Sequence, residues 1–225
     1  MITPPSHPPA ALIFDLDGTL VDTVETRINA WLRTFEEYGI PAERGPVANL
    51  IGSDGKRLAR VVAGAAGRAI DAGLAEEIDR RSGEIFNQLN TAPKALSGAD
   101  QLLRTLDELG LRWAIATSSR PEQVDVSIQS LKLVKPPTII DGSRVEHAKP
   151  APDLLLFAAR QLGIEPSRAW YVGDSIWDMQ AAKAAGMPAI GVVSGSATAE
   201  ELAGAGAWLT VDNLNRLIPM IETRT

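Results

Sequence analysis

Polar residues that could share one chemical task stand directly after short apolar runs in this chain. Ala11-Leu-Ile-Phe14 runs into Asp15 and Asp17-Gly18, and Trp113-Ala-Ile-Ala116 runs into Thr117-Ser118-Ser119. Trp170-Tyr-Val172 meets Gly173-Asp174, with Asp178 one helical turn further on. Lys149 lies in Glu146-His-Ala-Lys-Pro150, just ahead of a helical pattern. Such a set suits chemistry built on carboxylates, hydroxyls, a lysine and a hard cation held by oxygen. Other chemistries are closed to it. The chain has no cysteine and two histidines, His7 and His147. That excludes disulfides, thiolate metal sites and a cysteine nucleophile. It also rules out a multi-histidine zinc site and leaves little room for a Ser-His-Asp triad.

Each of these residues has a plainer role when taken alone. Asp-Gly pairs form turns, Thr117 or Asp174 could cap a following helix, and a lone lysine is usually solvated. Their joint occurrence at successive strand ends sets them apart. In an open parallel sheet the loops after the C-terminal strand ends form the ligand crevice, so carboxylates scattered along the chain meet at one edge.

The elements that must position them follow from periodicity. The three apolar runs read as buried parallel strands, with further strands at 188–193 and 207–211 and a short one at 138–140. Helical patterns at 99–109, 152–162 and 175–185 stop at Gly110, Gly163 and Gly186. The alternation predicts an α/β fold, a Rossmann-like parallel sheet flanked by helices on both faces. An all-helical insert, with helices at 24–38, 55–63 and 74–88, interrupts it after the first strand. The expected organisation is a disordered Pro-rich tail at 1–10, a core of 11–22 and 95–225, and the insert at 23–94. Gly55-Lys56-Arg57 is not a Walker phosphate loop, and Gly64-Ala-Ala-Gly67 follows no strand, so neither segment marks a nucleotide site.

With 225 residues, a net charge of −6 and 45% hydrophobic content, the chain reads as an ordinary globular protein able to bury its own core. No basic cluster offers a footprint for nucleic acid. The apolar runs are too short to span a membrane, and no basic-plus-apolar signal segment opens the chain. The expectation is a cytoplasmic protein that binds neither nucleic acid nor membrane; its oligomeric state is left open.

Together and in order, Asp15-Leu-Asp-Gly-Thr-Leu-Val-Asp-Thr23, Ala116-Thr117-Ser118, Ala148-Lys149-Pro150 and Val172-Gly-Asp-Ser-Ile-Trp-Asp178 resemble the haloacid dehalogenase superfamily. The likeness lies with its phosphatases of the phosphoglycolate phosphatase-like branch, and the insert is similar to that family's helical cap domain. The resemblance implies an Mg²⁺-dependent phosphatase acting on a small phosphorylated metabolite through an aspartyl-phosphate. Asp15 would be the nucleophile. Asp17 would be the general acid, protonated at the outset with the help of a like charge nearby. Mg²⁺ would be held by Asp15, Asp174 and the backbone carbonyl of Asp17. Asp178 would support a metal-bound water or orient Lys149. Gly18, Thr117, Ser118 and Lys149 would bind the phosphoryl group. The cap loop with Ser53, Lys56 and Arg57 would read the substrate. The same core would also serve a sugar phosphomutase of the β-phosphoglucomutase kind, or a protein that binds phospho-ligands without turning them over.

Overall fold

The computed structural model describes Pro5 and residues 7–223. In chain order, β1 (Ala11–Phe14) and β2 (Val21–Asp22) precede four helices, α1 (Val24–Glu37), α2 (Arg44–Ala48), α3 (Gly55–Ala65) and α4 (Ala72–Leu89). β3 (Lys94–Ala95) leads back to α5 (Ala99–Glu108), β4 (Arg112–Ala116), α6 (Pro121–Ser130), β5 (Ile139–Ile140) and α7 (Asp153–Leu162). β6 (Ala169–Gly173), α8 (Ile176–Ala185), β7 (Ala189–Val192), α9 (Ala199–Ala205), β8 (Ala207–Val211) and α10 (Ile218–Glu222) complete it. Six strands form one parallel sheet in the order β5-β4-β1-β6-β7-β8, the architecture that the alternating patterns predict.

β1 lies inside the sheet and all four of its residues are buried, which is why it reads as an unbroken apolar run. Its side chains alternate between the faces. Leu12 and Phe14 belong to one core with Leu102, Leu103 and Leu106 of α5 and Val124 of α6. Ile13 belongs to the other, with Leu155 and Ala158 of α7 and Ala182 of α8. Register pairs Phe14 with Ile115 of β4 and with Val172 of β6, so the residues that follow these strands emerge side by side.

The insert has a core of its own, including Ile28, Phe35, Val47, Leu58 and Ile78. It leaves and rejoins the sheet domain through a two-stranded antiparallel ladder, Val21 opposite Ala95 and Asp22 opposite Lys94. This ladder escapes a sequence reading because two-residue strands carry no periodicity. α6 is also missed. Its apolar residues Val124, Val126 and Ile128 fall two apart and mimic a strand, while Gln123 and Ser127 share its buried side. α2 is five residues long and contains Pro46, and α9 spans only seven, although the Thr198–Glu201 capping box was a legible start signal.

Within the Pro-rich opening, residues 1–4 and 6 lie outside the described residues. Pro9 is buried, and the Ala10 N–H donates to the Arg168 carbonyl at 2.8 Å. Among the described residues no helix is long and apolar enough to cross a membrane.

Phe14 is fully buried and meets the Trp113 ring edge-on at 6.5 Å. Replacing it with Ala is expected to cost about 3–5 kcal/mol of stability, read by denaturant unfolding. A loss below about 1 kcal/mol would contradict its place in the core.

Candidate active site

Asp15 leaves β1, Thr117 leaves β4 and Asp174 leaves β6, while Lys149 reaches the same edge from the loop ahead of α7. All four are buried, as is Asp178. Lys149 Nζ donates to Asp15 Oδ1 at 2.5 Å and stands 2.8 Å from Asp178 Oδ1. Asp178 is fixed from every side. Tyr171 Oη donates to its Oδ1 at 2.7 Å, and the Ser175 hydroxyl and N–H both reach its Oδ2. The helix start therefore belongs to Ser175, which forms a capping box with Asp178; Asp174 is not the cap. Thr19 Oγ1 donates to Asp174 Oδ1 at 2.9 Å.

One carboxylate oxygen from each of Asp15, Asp174 and Asp178 lies within 4.8 Å of the others. Burial pushes the Asp15 carboxyl up to about 7, against the pull of Lys149. Burial, then the charges of Asp178 and Asp15, hold Asp174 well above the ordinary carboxylate range. Burial opposes the charge on Lys149, but Asp15 and Asp178 outweigh it and raise its pKa. Three buried carboxylates thus face one ammonium. Asp15 Oδ2 and Asp174 Oδ2 have no hydrogen-bond donor among the described residues. Two hard oxygens with surplus negative charge fit a divalent cation.

The left-handed Gly18 (φ 84°) passes so close that a Cβ there would lie 2.4 Å from Asp174 Oδ2. Thr117 Oγ1 accepts from the Ser119 N–H at 3.1 Å. The Ser118 hydroxyl is buried with no partner among the described residues and so is free to meet a ligand oxygen.

The expectation for Asp17 is corrected. The charge of neighbouring Asp15 does not hold its proton on. Burial alone would raise its pKa, but the Arg27 guanidinium and the hydroxyls of Ser119 and Thr23 lower it, so the resting group is a carboxylate. Arg27 Nη2 lies 2.9 Å from Asp17 Oδ2, and Ser119 Oγ and Thr23 Oγ1 each donate to Asp17 at 2.6 Å. Arg27 comes from α1 in the insert. It also donates to Gln123 Oε1 at 2.9 Å and lies over the Phe86 ring at 3.4 Å.

A small cavity of about 80 Å³ separates the insert from the strand ends. Asp15, Asp17, Ser53, Thr117, Ser118, Lys149 and Asp174 line it, and so do Arg27, Ser82 and Gln123. Lys56 and Arg57 do not. Lys56 Nζ pairs with Glu76 at 3.5 Å near the outer opening, and Arg57 stacks over Trp177 at 5.1 Å. The cation that the insert directs inward is Arg27. A signal for it existed: Val24, Ile28, Trp31 and Phe35 form the buried stripe of α1, and a charge beside that stripe needs a partner. Arg120 turns away from the strand ends to pair with Glu76 (2.5 Å) and Asp79 (2.8 Å) of α4, joining core to insert.

Comparison with known proteins agrees with this geometry. The family described as haloacid dehalogenase-like hydrolase matches residues 12–192. The chain is 31% identical to a phosphoglycolate phosphatase of Pseudomonas putida over 96% of its own length and 80% of that protein. It is 28% identical to an N-acetylmuramic acid 6-phosphate phosphatase of Pseudomonas aeruginosa, covering 94% of each. A hydrolase from Pseudomonas syringae, solved by crystallography, superposes with a TM-score of 0.89 at 32% identity, covering 95% of this chain and 98% of that one.

Gly18→Ala combines a left-handed backbone with a collision against Asp174. It is expected to destabilise the protein by about 1–3 kcal/mol, measured by thermal or denaturant unfolding. Unchanged stability would mean that this turn and Asp174 do not approach as described.

Proposed function

The chain belongs to the haloacid dehalogenase-like hydrolases, and from that premise we propose that it is a Mg²⁺-dependent phosphatase of a small phosphorylated metabolite, working through an aspartyl-phosphate. The observation that carries this reading is the buried contact of Asp15 with Lys149, in the cavity that Asp17 and Asp174 also line. The phosphatase names among its relatives point the same way.

A phosphomonoester dianion resists an anionic attacker, so its charge must be offset and its geometry held. Asp15, at the rigid end of β1, attacks phosphorus and displaces the ester oxygen. Lys149, immobilised between two carboxylates, neutralises Asp15 and the phosphoryl oxygens. The free hydroxyl of Ser118 and the Thr117 side chain donate to those oxygens. Asp15 and Asp174 would hold Mg²⁺, which when bound would draw charge off the phosphoryl group. Asp178 keeps Lys149 in place.

Asp17, a carboxylate at rest, takes up a proton from solvent while the site is open, gives it to the departing oxygen and then takes one from the water that cleaves the acyl phosphate. Its contact with Arg27 has to be given up before it can donate. The helical insert acts as a lid over this step. Its loop is tied to the core by the Asp54 N–H to the Lys149 carbonyl (3.0 Å), and its α2 end by Trp177 Nε1 to the Asn49 carbonyl (3.1 Å). Substrate has to enter while those ties are open, and their closure excludes bulk water.

The test is a phosphate-ester panel with Mg²⁺, run on wild type and Asp15→Asn. Wild type is expected to release inorganic phosphate and to lose that activity on chelation, with recovery when Mg²⁺ returns. Asp15→Asn is expected to fall by at least about 10³-fold while staying folded by circular dichroism. Substantial activity in that variant would remove the nucleophile assignment. Conversion of a sugar phosphate to its isomer without steady phosphate release would favour a mutase instead.

A further inference from the structure

Asp178 has four donors on its two carboxylate oxygens. Oδ1 accepts from the Tyr171 hydroxyl at 2.7 Å and faces Lys149 Nζ at 2.8 Å. Oδ2 accepts from the Ser175 N–H at 3.1 Å and from the Ser175 hydroxyl at 2.5 Å. A carboxylate offers about four lone-pair sites, so none is left for a metal ion or a water on it. Asp15 and Asp174 differ, since each keeps one oxygen without a donor among the described residues. Proximity groups Asp178 with these two carboxylates, but its bonding commits it to Lys149.

Of those donors, only the Tyr171 hydroxyl has no other task. Ser175 caps α8, and Lys149 serves Asp15. Tyr171 is fully buried on β6, in the core that holds Ile13, Leu155 and Ala182. Phenylalanine would pack there without burying a hydroxyl, which costs free energy unless it is bonded. Lys149 Nζ lies 5.7 Å from the ring centroid, and a phenylalanine ring would offer it the same face. What the hydroxyl adds is the bond to Asp178. We infer that Tyr171 is a positioning residue for the reaction: its hydroxyl fills the last acceptor site of Asp178, turns that carboxylate toward Lys149 and keeps it off the cation. The inference rests on the phosphatase reading above. Two of the three Lys149 hydrogens then go to Asp15 and Asp178, which leaves the third aimed by that pair for a phosphoryl oxygen. Gly173 lets Asp178 come this close to the strand end, because a Cβ there would lie 2.5 Å from Asp178 Cγ. Without the Tyr171 hydroxyl, Oδ1 regains a free lone pair, and the ammonium loses a fixed anchor on the side away from Asp15.

The experiment compares wild type with Tyr171→Phe, which keeps the ring and removes only the hydroxyl. It reads kcat and KM for p-nitrophenyl phosphate with Mg²⁺, and Mg²⁺ affinity by calorimetry without substrate. Tyr171→Phe is expected to lower kcat about tenfold with KM within about twofold, since the loss falls on alignment in the transition state. Its Mg²⁺ affinity should weaken by less than about threefold, because Asp178 holds no cation. In an Asp178→Asn background the same substitution should cost less than about twofold, as the two act as one unit. A folded Tyr171→Phe protein with wild-type kcat overturns the inference and leaves the tyrosine as packing. A tenfold loss of Mg²⁺ affinity overturns it too, as does an undiminished loss of kcat in the Asp178→Asn background. The kcat and Mg²⁺ readings on Tyr171→Phe decide the matter even if the double variant does not fold. A wild type that releases phosphate while Tyr171→Phe matches it overturns this inference alone. A wild type that releases none from any ester removes the phosphatase reading with it.

Discussion

The site depends on a lysine that stays charged where no water reaches it. Lys149 is 1% exposed and lies between Asp15 and Asp178, each within hydrogen-bond distance. An ammonium buried alone would cost several kcal/mol, and such a charge persists only with good geometry and full hydrogen bonding. Much of the surrounding structure supplies that geometry. β1 sets Asp15 in register with β6, Tyr171 on β6 donates to Asp178, and the capping box of α8 locks Asp178 from the other side. Even so, the charges do not balance. With Asp174 included, three carboxylates face one ammonium, and the shortfall is what a divalent cation would fill.

The insert solves a different problem. Strand ends hold reacting groups rigidly but cannot also close over a ligand, since they all project the same way. A helical body with its own core, joined to the sheet domain by a two-stranded stem, can approach as a unit without disturbing the catalytic edge. It brings Arg27, Ser82 and Ser53 to the cavity opposite Lys149, Thr117 and Ser118. On the function proposed above, chemistry would fall to the core and closure over the ligand to the insert. Asp17 sits where the two meet, bonded to Ser119 of the core and Arg27 of the insert.

Most of the fold was legible because its signals are local. Fully buried strands read as apolar runs. α7 and α8 stop at Gly163 and Gly186, whose left-handed φ values of 64° and 70° end a helix without a side-chain clash. α6 was hidden because Val126 on its exposed side and Val124 on its buried side make a period of two. Asp15, Thr117, Lys149 and Asp174 could be picked out because each follows or precedes an element with a clear end. Lys56 and Arg57 were plausible for the same reason, as charges at a glycine-rich helix start. Glu76 and the Trp177 ring occupy them instead, and neither neighbour is foreseeable from residues 51–57.

What the sequence by itself determined is the catalytic edge. Its residues are placed by strand register and helix starts, which are encoded within a few positions of each residue. The state of Asp17 was decided only by tertiary structure. Asp17 and Arg27 are close in sequence, but Ser119 lies 102 residues from Asp17, and Gln123 lies 96 from Arg27. Whether a guanidinium or a second carboxylate faces Asp17 depends on how the insert folds back over the sheet. That geometry comes from packing between two separate cores, and no local spacing records it.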